Sequence, residues 1–232
     1  MLRALKSSRT LSFVLALLIL ILTPFSVNAT PQIIYRHTSG NGKKRVALTF
    51  DDGPHPRYTP QILDILSEFG VEATFFVVGS NAEYYPDIVK RELALGHEVG
   101  NHTYHHFHTV NVSGEKLQKD IIACHKSIKK ISGKDVHLFR PPEGVFNEEI
   151  KWLCSRQGYT IVMWSIDTRD WAHTPIPDIC KNVMDNVKDG SIILMHDFIG
   201  KNSPTPAALR RIIPMLQESG YEFVTVSRLL EG

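Results

Sequence analysis

Short apolar runs alternate with amphipathic stretches along residues 45–226, which is the pattern expected when strands alternate with helices. Seven of these runs are predicted to be strands, at residues 45–50, 73–78, 97–100, 137–140, 159–164, 191–195 and 222–226. Helical stretches separate most of them, so the pattern favours a parallel sheet with right-handed crossover connections. This number of strands fits either a barrel or an open doubly wound sheet.

Capping residues mark the ends of the predicted helices. Helices are predicted at residues 59–70, 113–133 and 147–158, and the last one begins at residue 205. Each begins at Ser, Thr or Asn, and the first three end at glycine, as helices commonly do. Pro214 lies inside the last helix, where it is expected to produce a kink.

Residues 1–29 have the layout of a secretory signal peptide. The basic stretch MLRALKSSRT precedes the apolar stretch LSFVLALLILILTPF, and the small-residue pattern VNA ends at Ala29. The apolar run is shorter than the ~20 residues that a membrane span needs, so cleavage is favoured over the alternative, a retained membrane anchor. We therefore expect a secreted or cell-surface protein that contacts a membrane only through this segment.

The rest of the 232-residue chain is long enough for one domain with a substantial core. Residues 30–43 are predicted to form a polar N-terminal extension, and residues 44–232 the domain. The formal net charge is only +2 and the basic residues are scattered, which argues against nucleic acid as a partner. The same charge is compatible with an anionic cell wall.

The three cysteines, Cys124, Cys154 and Cys180, have no C-x-x-C spacing that would indicate a redox pair or a zinc site. They are predicted to be small buried apolar residues, with a single disulfide as the alternative.

Polar motifs follow five of the predicted strands. In chain order these motifs are DD at residues 51–52, NHTYHH at 101–106, RPPEG at 140–144, SIDTRDW at 165–171 and MHD at 195–197. The carboxyl ends of parallel strands meet at one edge of an α/β fold, and that edge is where such folds build their active sites. The sequence therefore predicts one site assembled from all five motifs.

Asp51 and Asp52 are adjacent at the end of the first strand. Neighbouring side chains of an extended chain point to opposite faces, so the two carboxylates are not expected to share a proton or to hold one ion together. Separate roles are predicted for them.

His102 and His106 stand four residues apart, which would bring both imidazoles to one side of a helical turn. Two histidines and one carboxylate, with positions left open for water, are typical of a catalytic zinc site. His105 and His108 are competing candidates, and a histidine-rich surface loop is the alternative if the motif is taken alone.

The remaining motifs supply further candidates. Arg140 is predicted to hold a carboxylate in a bidentate grip, and His196, near Asp170, is a candidate general acid. Trp171 is either an ordinary core residue or an aromatic surface on which a sugar ring stacks.

The motifs TFDDGP, HTYHH, RPPEG, DTRDW and LMH, in this order, resemble those of the polysaccharide deacetylases of carbohydrate esterase family 4, the NodB-homology domain. The resemblance extends over about residues 44–230. It implies an α/β fold, a distorted (β/α)7 barrel. It also implies metal-dependent removal of N-acetyl groups from N-acetylglucosamine polymers such as peptidoglycan or chitin, so the expected partner is a cell-wall polysaccharide.

The same resemblance implies roles for the residues around the first two motifs. Asp52, His102 and His106 match the ligands of a divalent metal ion, expected to be Zn²⁺, with Co²⁺ as the alternative. Asp51 matches the catalytic base, and Arg140 would orient it.

On the opposite side of the site, the resemblance implies that His196 is the acid and that Asp170 holds and tunes it. Leu194 would line the pocket for the acetyl methyl group, and a backbone N–H near Glu143 would stabilise the oxyanion. Trp171 and Glu143 are the remaining substrate-binding candidates, and Glu143 would act through its backbone rather than through a side-chain contact to the sugar. Glu143 stands where many family members carry an aromatic residue, which leaves the substrate preference open.

Two other functions remain as alternatives. One is an O-acetyl esterase of the same family that acts on xylan or another acetylated polysaccharide. The other is a catalytically silent glycan-binding domain, against which the complete set of candidate base, acid and metal ligands argues. A peptidase of the H-E-x-x-H class is disfavoured because that motif is absent from the sequence.

Overall fold

The structure is a computed structural model that describes residues 31–38, 40 and 42–231. The predicted signal peptide, residues 1–29, lies outside the described residues. Among the residues that are described, no helix has the length and apolar character needed to cross a membrane.

The strands of the described part of the chain form one sheet in which all strand pairs are parallel. They are β1 (Ile33–Ile34), β2 (Lys44–Asp51), β3 (Thr74–Val77), β4 (Glu98–Asn101), β5 (Leu138–Phe139), β6 (Thr160–Val162), β7 (Ile166–Asp167), β8 (Ser191–His196) and β9 (Tyr221–Phe223). The order across the sheet is β1-β6-β5-β4-β3-β2-β8-β7, and β9 pairs with the first residues of β2.

Helices connect the strands. They are α1 (Tyr58–Phe69), α2 (Gly79–Tyr84), α3 (Pro86–Ala94), α4 (Gly114–Ser132), α5 (Glu148–Arg156), α6 (Ile176–Asn186), α7 (Thr205–Glu218) and α8 (Val226–Leu230). Short 3₁₀ turns lie at Thr109–Asn111, Pro142–Gly144 and Asp170–Ala172. The predicted fold class, an α/β distorted (β/α)7 barrel, is confirmed by this curled parallel sheet and its connecting helices.

β2 shows why this sequence forms a central strand. From Val46 onward every residue of β2 is buried, as expected for a parallel strand that is covered on both faces. Val46, Leu48 and Phe50 belong to the larger apolar core, whereas Ala47 belongs to a second cluster that includes residues of α8. Because side chains alternate along a strand, Asp51 lies on the same face of β2 as Ala47.

Most of the predicted elements are present, and their ends agree with the capping signals. Ser113 and Asn147 accept backbone N–H hydrogen bonds at the starts of α4 and α5, and Gly70 and Gly133 end α1 and α4 in left-handed conformations. Pro214 lies inside α7.

The differences concern short elements. β1 and β7 have two residues each and were not predicted, because so short a strand has no detectable periodicity. Residues 30–43 were predicted to be an extension, but Ile33–Ile34 pairs with β6 and belongs to the sheet. The strand predicted at residues 222–226 ends at Phe223, and α8 follows it.

All three cysteines are buried and free. The prediction that they are small buried apolar residues is confirmed, and the alternative of a disulfide is wrong in this structure. The thiol of Cys124 donates to Val77 O at 3.5 Å.

Candidate active site

A cavity of about 410 Å³ lies at the carboxyl ends of the strands. Of the predicted site residues, those that line it are Asp51, Asp52, His102, His106, Glu143, Trp171, Leu194 and His196. Arg140 and Asp170 are fully buried behind this lining. Trp164 and Asp167 also line the cavity and were not predicted, although both stand within or next to the motif SIDTRDW.

Strand register brings the motifs together. β2 and β8 pair so that Asp51 lies opposite His196 and Thr49 lies opposite Leu194. β8 also pairs with β7, which places Asp167 opposite Leu194. Since these strands are parallel, the residues after their last apolar positions all face the same cavity.

Asp51 and Asp52 both line the cavity, so the prediction that their side chains point in opposite directions is wrong, whereas only Asp52 belongs to the group of potential metal ligands. Asp52, directly after the strand, has a left-handed backbone conformation with φ of 76°. This conformation turns its side chain towards the face that Asp51 occupies. His102 Nε2 lies 3.8 Å from Asp51 Oδ2 and 3.3 Å from Asp52 Oδ1. Asn81 Nδ2 donates to Asp52 O at 2.8 Å and holds the turn in place.

Asp52, His102 and His106 form a cluster of potential metal ligands. One ligand atom from each lies within 4.8 Å of the others, and Asp52 Oδ1 is 3.3 Å and 3.0 Å from the Nε2 atoms of the two histidines. His102 Nδ1 contacts Arg140 O at 2.7 Å, and because a carbonyl only accepts, Nδ1 carries the proton and Nε2 keeps its lone pair. This donor set fits a divalent ion such as Zn²⁺.

Asp52 remains ionised in this cluster. Burial raises the pKa of its carboxyl group, but the close contacts with His102 and His106 outweigh burial and hold the pKa below its ordinary value.

The segment that joins the two histidines is a loop, so the predicted helical turn is wrong. Thr103 and His106 both have positive φ angles, 64° and 55°, which an α-helix does not contain. Thr103 N donates to Asn101 Oδ1 at 2.9 Å, and His106 N donates to Thr103 Oγ1 at 3.1 Å. The imidazoles of His102 and His106 nevertheless meet, with ring centroids 5.0 Å apart.

His105 and His108, the competing candidates, contact other carboxylates. His105 Nδ1 lies 2.5 Å from Asp120 Oδ1, and His108 Nε2 lies 2.9 Å from Glu143 Oε2. Neither histidine is part of the ligand cluster.

Arg140 binds Asp51, but not in the predicted bidentate manner. Its Nη1 atom donates to Asp51 Oδ1 at 2.7 Å and to Thr49 Oγ1 at 2.8 Å. Nε and Nη2 donate at 3.0 Å to the backbone oxygens of Val162 and Met163. The guanidinium is distributed over four acceptors because it is fully buried and each N–H group needs a partner. Burial lowers the pKa of Arg140, and Asp51 opposes that shift.

Asp170 holds His196. Asp170 Oδ1 lies 2.8 Å from His196 Nδ1, and Oδ2 accepts from His196 N at 2.7 Å and from Thr205 Oγ1 at 2.6 Å. Burial lowers the pKa of His196, but Asp170 more than compensates and the pKa rises to about 9. His196 is therefore protonated at neutral pH.

The rim of the cavity carries polar and aromatic groups. Glu143 has a left-handed backbone, with φ of 58°, in the turn Pro142–Gly144. Trp171 is 49% exposed, and the guanidinium of Arg169 lies 5.8 Å from the centre of its ring. Leu194 is only 3% exposed and contributes the apolar wall.

Asp197 was missed as a site-supporting residue. It is buried beside His196 and accepts from Thr59 Oγ1 at 2.6 Å. Burial raises the pKa of Asp197 to about 7. A Cβ atom on Gly53 would lie 2.0 Å from Asp197 Oδ2, which explains why glycine follows the aspartate pair.

Comparisons with known proteins point to one family. The sequence model of the family described as polysaccharide deacetylase matches residues 38–162. A peptidoglycan-N-acetylglucosamine deacetylase of Bacillus cereus is 46% identical over 192 residues, which cover 82% of this chain and 90% of the relative. A chitooligosaccharide deacetylase of Sinorhizobium fredii is 36% identical over 194 residues, which cover 79% of this chain and 90% of the relative.

Solved structures give the same picture. A crystal structure of a peptidoglycan N-acetylglucosamine deacetylase superposes with a TM-score of 0.82 at 38% identity, covering 90% of this chain and 97% of the other. A pseudoenzyme of Bacillus anthracis superposes with a TM-score of 0.79 at 31% identity, covering 87% of this chain and 70% of the other.

Proposed function

The chain belongs to the polysaccharide deacetylase family, and we propose that it removes N-acetyl groups from N-acetylglucosamine residues of a cell-wall glycan with the help of a divalent metal ion. Membership confirms the resemblance that the motifs indicate, and it makes the chain a polysaccharide deacetylase. The named relatives act on peptidoglycan and on chitooligosaccharides. Peptidoglycan is the proposed substrate because the 46% identical relative is named for it.

One observation carries this proposal. A carboxylate and two imidazoles converge on one point, and a further carboxylate that is anchored elsewhere lies beside them. Asp52, His102 and His106 are the proposed metal ligands, and Zn²⁺ is the proposed ion because nitrogen and oxygen donors with open positions suit it. When bound, the ion would polarise the amide carbonyl and lower the pKa of a coordinated water towards ~7.

Asp51 is the proposed general base. Arg140 Nη1 donates to its Oδ1 atom, and its Oδ2 atom lies 3.8 Å from His102 Nε2. The arrangement holds this carboxylate at a fixed position, which is what removal of a proton from the attacking water requires.

His196 is the proposed general acid. An amine leaves an amide readily only when it is protonated, and His196 is protonated at neutral pH because Asp170 stabilises its charge. Asp51 and His196 are opposite each other in the paired strands, so base and acid stand on neighbouring strands.

The substrate contacts are also proposals. Leu194 would pack against the acetyl methyl group, and Trp171 would stack on a sugar ring at the rim. The backbone N–H of Glu143 would donate a hydrogen bond to the amide oxygen as negative charge develops on it. The side chain of Glu143 is paired with His108, so the aromatic contact that many family members have at this position is lost here.

A silent glycan-binding domain is not favoured, although a pseudoenzyme is among the structural neighbours. This chain has a candidate base, a candidate acid and the metal-ligand cluster all facing one cavity.

Acetate release tests the proposal. Purified protein is incubated with N-acetylglucosamine oligomers, peptidoglycan and acetylated xylan, with and without a chelator. We expect acetate from the N-acetylated glycans, and loss of that acetate with chelator. Acetate from xylan alone would instead support an O-acetyl esterase, and no acetate from any of the three would contradict the proposal.

A further inference from the structure

The loop between the two proposed histidine ligands has an unfavourable backbone. Thr103 and His106 both adopt left-handed φ angles, and neither is a glycine. Side chains with a Cβ atom disfavour this conformation, so contacts within and around the loop must maintain it.

Asp120, on α4, supplies several of these contacts. The residue is 4% exposed, and its Oδ2 atom accepts from Tyr104 N at 2.9 Å and from His105 N at 3.0 Å. Its Oδ1 atom lies 2.5 Å from His105 Nδ1. One carboxylate therefore binds both backbone N–H groups that immediately precede His106.

His105 also contacts Asp120 and helps to hold the loop. Its imidazole is about half exposed, and it contacts Asp120 rather than the proposed metal ligands. Stacking on Phe107, with ring centroids 4.9 Å apart, restrains the ring further. His105, which was a competing metal-ligand candidate because of its spacing in the sequence, therefore helps to hold the loop instead.

We propose that Asp120, braced by His105, is a positioning residue that holds His106 where it can share an ion with Asp52 and His102. This inference rests on the metal site of the proposed function. Asp120 does not line the cavity, so it acts on the site through the backbone of residues 104–106.

Metal affinity tests this role. The apparent Kd for Zn²⁺ is measured on metal-free protein by competition with a chromophoric chelator, and the absorption spectrum of the Co²⁺-loaded protein reports the ligand geometry. Loss of a partner that orients a metal ligand typically weakens affinity by about 10–100-fold, and we expect that loss for Asp120→Ala. Asp120→Asn and His105→Ala should show smaller losses, with an altered Co²⁺ spectrum.

Asp135→Asn is the matched control. Asp135 also contacts a histidine, with Oδ1 2.8 Å from His125 Nε2, but it lies beyond the opposite end of α4. Its substitution should leave the Zn²⁺ affinity and the Co²⁺ spectrum unchanged. Thermal unfolding of each metal-free variant separates lost stability from lost affinity.

The outcomes are distinct. Folded Asp120→Ala or Asp120→Asn protein with wild-type affinity and spectrum would overturn the inference. If Asp120→Ala does not fold, Asp120→Asn and His105→Ala decide the question by the same two readouts. Failure of the wild-type protein itself to bind Zn²⁺ or Co²⁺ would overturn the proposed metal site, and the positioning role with it.

Discussion

Asp170 determines the protonation state of His196. The histidine has a pKa of about 9 because the hydrogen bond and the charge of Asp170 outweigh the effect of burial. A general acid must carry its proton, so activity should fall as the pH rises through that pKa.

Asp170→Asn should therefore move the alkaline limb of the kcat profile to lower pH. The substitution removes the negative charge that stabilises the imidazolium, and the pKa of His196 should fall towards or below its unperturbed value of ~6.5. The measurement is kcat from pH 5 to pH 10 on an N-acetylglucosamine oligomer. An unshifted alkaline limb would contradict the role of His196 as the acid.

Arg140 and Asp51 form a buried ion pair. Arg140→Met should lower the free energy of unfolding by about 3–5 kcal/mol at neutral pH, because it leaves Asp51 charged, buried and without its main partner. Urea unfolding measures the change. The double variant Asp51→Asn, Arg140→Met should recover part of the lost free energy of unfolding. If the losses of the two single variants simply add in the double variant, the two residues do not act as a unit.

At the scale of elements, the turn after β2 depends on close packing with the end of β8. Gly53→Ala should destabilise the fold by about 1–3 kcal/mol, because its Cβ atom would overlap the buried carboxylate of Asp197. Acetate release should fall as well, because Asp52, a proposed metal ligand, directly precedes Gly53 and would be displaced with it.

Gly158→Ala is the matched control for Gly53→Ala. Gly158 has a positive φ of 70° but open space around it, so it carries only the backbone penalty of about 1–2 kcal/mol. Its activity should stay at the wild-type level. Equal effects of both variants on activity would show that the contact with Asp197 does not matter for the site.

The elements also show where sequence reasoning stops. Long strands and capped helices could be predicted, because β2 and α4 carry their own periodicity and end signals. The left-handed residues Asp52 and His106 could not be predicted, since tertiary contacts impose those angles against the local preference. The direction of Asp52 and the loop form of the histidine motif were missed for that reason.

At the scale of the whole molecule, topology made the site predictable. Motifs far apart in the chain were expected to meet because each follows a parallel strand, and all but two of the predicted site residues line one cavity. Arg140 and Asp170 are the two exceptions, and both bind residues that do line it. The support from Asp120 and Asp197 was not predicted, although Asp197 belongs to the motif MHD, because side-chain contacts across elements have no local signal.

Export is the prediction that concerns the chain as a whole. We propose that residues 1–29 direct secretion and are then removed. The intact mass of the protein recovered from the culture medium should match residues 30–232. Recovery only from the membrane fraction, with the full-length mass, would show that the segment is a retained anchor.

The most direct test of the account is acetate release by metal-loaded Asp51→Asn protein, measured beside the wild type together with bound Zn²⁺. The account assigns proton acceptance to Asp51 and ion binding to Asp52, His102 and His106. We expect the variant to bind the same amount of Zn²⁺ and to lose turnover by about 10²–10⁴-fold, the usual contribution of a general base. Wild-type turnover in the variant, or loss of turnover that merely follows loss of the metal, would contradict this division of roles.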